Sequence, residues 1–370
     1  MEVGSKIQFV KKNILIVSPE PWSHVFVSKH HYALELAKRG NKVFFLNPPS
    51  LNRKLEITAS PYGNVFIVDY SVRVKGQRFL PGFLRRNIDR KTYNSIQRQA
   101  GARFDVIWNF ENSRFYDFRF APDEVLNIYH QVDLNQDFHP QLAAKTADIC
   151  FCTTDFIKEK LLKYNTRVYK IHHGVSSTAF FEKSDFLPED KSSKKIKVAY
   201  IGSLDIPYLD TELLKGLVEK FPNVEFLLVG PYQLQGRIHQ LLSTFNNVNF
   251  TGAVDSDKIK NYLKDSDILL LCYKAEIFRE QLANPHKMME YLASGKIIVA
   301  TYTDEYKDKE QLVLMSKTNK DLPDLFQYAI EHLPELNSCE RKEKRIAFAM
   351  EHTYDRQLNK IEGFINQLRS

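Results

Sequence analysis

The stretch NPHKMMEYLASGKIIVAT, Asn284 to Thr301, decides how the chain is read. Asn284 is of a type that caps the free amides of a first helical turn, Pro285 sits where its missing N–H costs least, and Gly295 after Ser294 suits a left-handed stop. Together they predict a helix from about Pro285 to Ser294, followed by the buried strand KIIVAT. On it Lys287, Glu290, Tyr291 and Ser294 fall at i, i+3, i+4 and i+7 and make a polar face, while Met288, Met289 and Leu292 point to an apolar partner. A cation beside unpaired first-turn amides is a seat for phosphate, and a carboxylate one turn later suits a pair of hydroxyls. The competing reading is a solvated Lys287–Glu290 pair worth roughly a few tenths of a kcal/mol. The surroundings decide between them.

Three strands upstream end in glycine: KVAYIGSL at Gly202-Ser203, VEFLLVGP at Gly230-Pro231 and NVNFTG at Gly252. Glycine lets a ligand approach the main chain, and ligands of open α/β sheets bind beyond the carboxyl ends of the strands. A nucleotide across Gly202, Gly230 and Gly252, beside Lys287 and Glu290, is the expected arrangement. No two glycines lie closer than six residues, so neither G-x-G-x-x-G nor G-x-x-x-x-G-K-[ST] is present. That argues against a dinucleotide oxidoreductase and a P-loop NTPase. There is also no G-x-S-x-G, H-E-x-x-H or C-x-x-C, and Cys150 and Cys152 alternate on an apolar run as buried free thiols do.

The first half opens with strand NILIVSP, a helix from about Ser28 to Arg39 and strand KVFFLNP, a βαβ unit. His24, His30 and His31 lie in the loop and helix start after the first strand, where at most one of them serves an acceptor and the rest are polar surface. Strands VFIVDY, FDVIWNF, EVLNIYH, TADICFCTT and RVYKIHHGV follow. Polar residues at strand ends are the better candidates, which singles out His130 and Asp133. Charge is unevenly shared: Met1 to Phe180 hold 26 Lys and Arg against 16 Asp and Glu, a net +10, leaving 26 against 29, or −3, for the rest. Arg73 to Arg103 holds nine cations and one acid, Asp89, interleaved with Phe79, Leu80, Phe83, Leu84, Ile88 and Ile96. Such a mixture suits the headgroup zone of an anionic membrane, at roughly 1 kcal/mol per cation. A nucleic-acid groove is the rival, without a recognition motif, and a solvated helix face is the plain alternative. No apolar run reaches the ~18 residues of a membrane span, and the first residues lack the order of a secretion signal. The expected location is cytoplasmic, at the inner face of the membrane where the basic stretch engages it.

A chain of 370 residues predicts two domains. The charged, apolar-poor segment Glu182 to Lys195 reads as the linker. The expected layout is residues 1–181, the linker 182–195, residues 196–350, and a terminal helix in 351–370.

Taken together, IHHGV before the linker, YIGSL after it, NVNFTG, SDILLLCY and NPHKMMEYLASGKIIVAT resemble the GT-B glycosyltransferases of the group called family 4, over nearly the whole chain. EPWSHVFVSKHHYALELAKRG and YIGSLDIPYLDTELL look most like enzymes of bacterial cell-surface polysaccharide assembly, such as teichuronic acid and capsule glycosyltransferases. The resemblance implies an α/β GT-B fold: two Rossmann-like domains with parallel sheets facing a central cleft, an acceptor domain first and a donor domain second. The last helix, from about Tyr354-Asp355 to Leu368, would cross back to the first domain. It implies a hexosyltransferase, retaining rather than inverting, that takes a UDP-sugar to a glycan or lipid-linked acceptor with no metal or other cofactor. Glu290 matches the residue that binds the donor ribose, and Lys287, in the turn opened by Asn284 and Pro285, lies where a cation meets the diphosphate. Gly202 and Ser203 match the loop under the phosphates, Gly252 to Val254 the main chain that reads the base, and His130 an active-site position, with Asp133 or His130 as base if configuration inverts. Three positions depart from the family pattern: Leu282 where its E-x7-E has Glu, Ser203 where Arg is usual, and no Lys near Tyr208. A non-hydrolysing UDP-sugar epimerase and a degenerate subunit that binds a nucleotide sugar or a partner are the alternatives.

Overall fold

Strand β1, Asn13–Val17, shows how the first half is built. Leu15 and Val17 enter one apolar cluster, and Ile14 and Ile16 enter another on the opposite side. Alternation of this kind buries both faces of a sheet, as a parallel sheet requires. The computed structural model describes residues 8–51, 54–72, 79–134, 138–180, 195–255 and 258–368. It divides into two compact units, Met1–His172 with Tyr354–Ser370, and His173–Thr353. Of the expected linker only Lys195 is among the described residues, and Arg73, Lys75 and Arg78 of the basic stretch lie outside them.

In the first unit the strands after β1 are β2 (Lys42–Leu46), β3 (Glu56–Ala59), β4 (Val65–Asp69), β5 (Val106–Asn109), β6 (Leu126–Gln131), β7 (Ile149–Cys152) and β8 (Val168–Lys170). They form one sheet in the order β3-β4-β2-β1-β5-β6-β7-β8, parallel except for β3, which runs antiparallel to β4 at the edge. Helices α2 (Gly82–Ala100), α3 (Pro140–Thr146) and α4 (Asp155–Leu162) cover one face through Tyr93, Ile96, Ala143 and Ile157. Helix α1 (Ser28–Lys38) covers the other with the last helix, α12 (Tyr354–Gln367). The stripe Tyr354, Leu358, Ile361 and Ile365 of α12 lies in that core. Arg39 clips it in place, with Nη2 2.6 Å from Asp355 Oδ1 and Nη1 3.2 Å from Glu362 Oε2. His30 is no surface residue. It is fully buried, stacked at 4.9 Å on both Phe26 and Phe45, accepts from the Val27 N–H and donates to the Pro21 carbonyl. Burial holds its pKa down to about 4, so the ring stays neutral. Cys150, Cys152 and Cys272 are buried free thiols, and Cys339 is exposed.

The second unit has strands β9 (Lys197–Ile201), β10 (Glu225–Val229), β11 (Val248–Gly252), β12 (Ile268–Leu271), β13 (Ile297–Ala300) and β14 (Leu314–Met315). They make an all-parallel sheet in the order β11-β10-β9-β12-β13-β14. Helices α5 (Thr211–Lys220), α6 (Arg237–Leu242), α7 (Ile259–Asp265), α8 (Lys287–Ala293), α9 (Leu322–Glu331), α10 (Leu333–Leu336) and α11 (Cys339–Met350) belong to the same unit. One apolar cluster runs through it and includes Met288, Met289 and Leu292 of α8.

Candidate functional site

The three glycine-ended strands of the second unit lie side by side. The Gly202 N–H donates to Val229 O at 2.8 Å, and the Gly230 N–H to Gly252 O at 3.0 Å. All three glycines have positive φ: 156° at Gly202, 144° at Gly230 and 74° at Gly252. At Gly230 the reason lies inside the fold, because a Cβ there would stand 2.0 Å from Gly202 O. Around Gly252 a Cβ meets nothing within 4 Å among the described residues. Ser203, which follows Gly202, is exposed, and its carbonyl accepts from the Tyr200 hydroxyl at 3.2 Å. Val254, beyond β11, is half-buried against the core.

Helix α8 is tied to this edge by a contact that the sequence reading places wrongly. Tyr291 does not share the polar face of Lys287 and Glu290; it is fully buried, and its hydroxyl accepts from the Ile201 N–H at 2.9 Å. A tyrosine at i+4 from Lys287 turns inward because its ring has a large area to bury while its hydroxyl finds a main-chain partner. Burial pushes its pKa well up, so the phenol stays neutral. Ile201 precedes Gly202 and Glu290 precedes Tyr291, so this one bond joins the strand that ends at Gly202 to α8. Ser294 is also buried, its hydroxyl donating to Tyr291 O at 2.6 Å. The polar face is thereby reduced to Lys287 and Glu290. Their side chains are about a quarter exposed, and Lys287 Nζ lies 3.0 Å from Glu290 Oε2. As it stands the pair satisfies itself at low cost.

The helix start differs from expectation. Asn284 and Pro285 precede α8, which begins at Lys287, and His286 rather than Asn284 holds the cap position. The Asn284 carbonyl instead accepts from His173 Nε2 at 3.1 Å, and Pro285 O accepts from the Met288 N–H at 3.1 Å in a tight first turn. A proline disfavours helical backbone at the residue before it, which places Asn284 outside the helix. The other end follows expectation, with Gly295 at φ 69°. Buried Arg345 completes it, donating from Nε to Gly295 O at 3.0 Å and from Nη2 to Leu336 O at 2.9 Å. Burial, with Arg341 nearby, lowers the Arg345 pKa to about 10. His173 and Arg345 escape sequence reading because their partners lie far along the chain. Leu282 is buried in the apolar core and offers no carboxylate.

In the first unit His130 occupies the next-to-last position of β6 and is 2% exposed. Its ring centroid is 4.9 Å from that of Phe110, 5.8 Å from Tyr32 and 5.9 Å from Phe151. Asp133 is exposed, and its carbonyl accepts from Gln131 Nε2 at 3.3 Å. The two preferred residues thus differ in access: a ring within an aromatic cluster, and an aspartate exposed at the surface of the unit.

Two Rossmann-like units with parallel sheets, and an edge of this kind on the second, define an α/β protein of the GT-B fold. Residues 196–335 match the family model described as Glycosyl transferases group 1. No curated protein matches the chain. Among solved structures, sucrose-phosphate synthase from Thermosynechococcus elongatus is similar at a TM-score of 0.72 and 14% identity, over 97% of this chain and 99% of that one. Anabaena Alr3699/HepE in complex with UDP gives 0.67 at 12% identity, over 96% and 100%. The catalytic domain of starch synthase IV from Arabidopsis thaliana, bound to ADP and acarbose, gives 0.66 at 11%, over 96% and 99%. At these identities the likeness is one of fold.

Proposed function

We propose that the chain is a glycosyltransferase that moves a sugar from a nucleotide diphosphate, UDP-hexose first among candidates, to a hydroxyl of a glycan or lipid-linked acceptor in cell-surface polysaccharide assembly. The observation that carries this is the junction of Ile201 and Tyr291. It ties the strand that leads into Gly202 to the helix that carries Lys287 and Glu290, within the residues that match the glycosyl transferases family model. A similar structure that holds UDP supports the choice of nucleotide. The resemblance of the sequence to capsule and teichuronic acid enzymes supports the choice of pathway.

In this reading the diphosphate lies under Gly202 and Ser203, with Asn284, Pro285 and Lys287 beyond it. Lys287 turns from Glu290 to the phosphates and stabilises the charge that grows as the bond from the anomeric carbon to the diphosphate oxygen breaks. Glu290 is freed to accept ribose hydroxyls, and the main chain from Gly252 to Val254 meets the base. The acceptor oxygen forms the new bond to the anomeric carbon. Its proton passes to the leaving phosphate if configuration is retained, the preferred course, or to Asp133 or His130 if it inverts. No metal or other cofactor enters this scheme. Donor binding without turnover is the second reading, favoured by buried Leu282 where the family pattern has Glu.

UDP release measured over a panel of sugar nucleotides tests the proposal. Lys287→Ala is expected to lower kcat by about a hundredfold, as loss of one preorganised donor to a developing anion does, and Glu290→Ala to act chiefly on the donor KM. Near wild-type rates in both folded variants would sink the assignment. Donor binding with no turnover on any acceptor would select the second reading.

A further inference from the structure

Helix α2 divides its charge by direction. Its one acid, Asp89, is buried with Thr92, Tyr93 and Ile96 on the side that meets the first unit's core. Among its cations, Arg85, Arg86 and Arg90 meet neighbouring parts of the first unit. Arg86 Nη1 lies 3.5 Å from Asp117 Oδ2, the Arg85 guanidinium sits 5.2 Å over the Tyr116 ring, and Arg90 donates to the carbonyls of Phe120 and Arg119. The opposite face is exposed at Phe83, Leu84, Asn87, Lys91, Asn94 and Arg98, with no carboxylate among them. These positions fall within about 100° of one another on a 3.6-residue helix.

The first turn of that face is apolar and wet. Phe83 is 61% exposed and Leu84 39%, and Phe79, just before the helix, is 78% exposed. Phe138, 58% exposed, precedes His139, whose Nε2 lies 3.4 Å from Arg85 Nη1. At the other end of the helix a shallow depression of about 430 Å³ carries Arg98 and Arg103 on its rim. Bulky apolar side chains at one end, and cations along a face that carries none of the helix's acidic residues, match a surface that offers hydrocarbon beneath a layer of negative charge. No helix among the described residues is long and apolar enough to cross a membrane. We propose that the exposed face of α2 docks the chain on the surface of an anionic lipid bilayer, with Phe83 and Leu84 inserted at the headgroup boundary and Lys91 and Arg98 on lipid phosphates. A nucleic acid is the less favoured partner, because a phosphate backbone would leave Phe83 and Leu84 unburied.

This docking does not rest on the transferase reading, and its test uses neither donor nor acceptor. The whole chain is floated with vesicles of phosphatidylcholine, with and without phosphatidylglycerol, at low and high salt. Flotation is expected only with phosphatidylglycerol and should weaken with salt. Lys91→Gln with Arg98→Gln should weaken it by roughly fivefold per cation, and Phe83→Ser with Leu84→Ser should abolish it at an unchanged melting temperature. Should a variant misfold, hydrogen exchange on the wild type replaces it, and vesicles are expected to protect the amides of residues 82–100. Absence of flotation with phosphatidylglycerol overturns the proposal. So does flotation indifferent to both double variants, exchange unchanged over α2, or single-stranded RNA bound more tightly than vesicles and unaffected by the Phe83 and Leu84 changes.

Discussion

Gly230 and Gly252 look alike in the sequence, each closing an apolar strand, yet they stand in different surroundings. A methyl group at Gly230 would press on the carbonyl of Gly202, which is backbone and has nowhere to move. Gly230→Ala should therefore cost at least about 3 kcal/mol, from positive φ and overlap together. Gly252→Ala meets open space and should cost only about 1–2 kcal/mol for its left-handed backbone. Urea unfolding of both variants checks the difference, and equal losses would mean that the glycine edge is not packed as described. The strand-end signal was legible in both cases; the source of the demand was not, because it depends on which strand lies alongside. His30 makes the same point, since only the stacked rings of Phe26 and Phe45 show that it belongs to the core.

At the scale of elements, α8 is fixed from both sides, by Tyr291 on Ile201 and by Arg345 on Gly295. Tyr291→Phe keeps the ring and removes the acceptor from a buried N–H, which should destabilise the chain by about 1–3 kcal/mol. Because Ile201 leads into Gly202, the same variant should weaken nucleotide binding while leaving Lys287 and Glu290 intact. Thermal melts with and without UDP check this, and an unchanged midpoint in both would show that the bond does not hold the edge to the helix. Helical periodicity predicted that Met288, Met289 and Leu292 face inward, and they do. It misplaced Tyr291 because a polar-tipped aromatic fits either face, and the deciding partner lies 90 residues away. Edge strand β3 escaped notice because its four residues, mostly exposed, lack an apolar run. Helix α12 was expected only from the family resemblance, and the structure shows the stripe Tyr354, Leu358, Ile361 and Ile365 that seats it.

For the whole molecule, the long apolar strands and the helices between them announced two parallel α/β units, and the structure has them. The uneven charge takes a physical form in α2, whose outward face holds cations with Phe83 and Leu84 and whose acid is buried. The central claim is that the carboxyl edge of the second sheet receives a nucleotide diphosphate between its glycines and α8. Calorimetric titration of UDP into the whole chain and into its Glu290→Ala variant tests that most directly. The wild type should bind, and loss of a charged acceptor for the ribose should weaken binding by about tenfold or more. No binding by the wild type, or equal affinity in the two proteins, would contradict it.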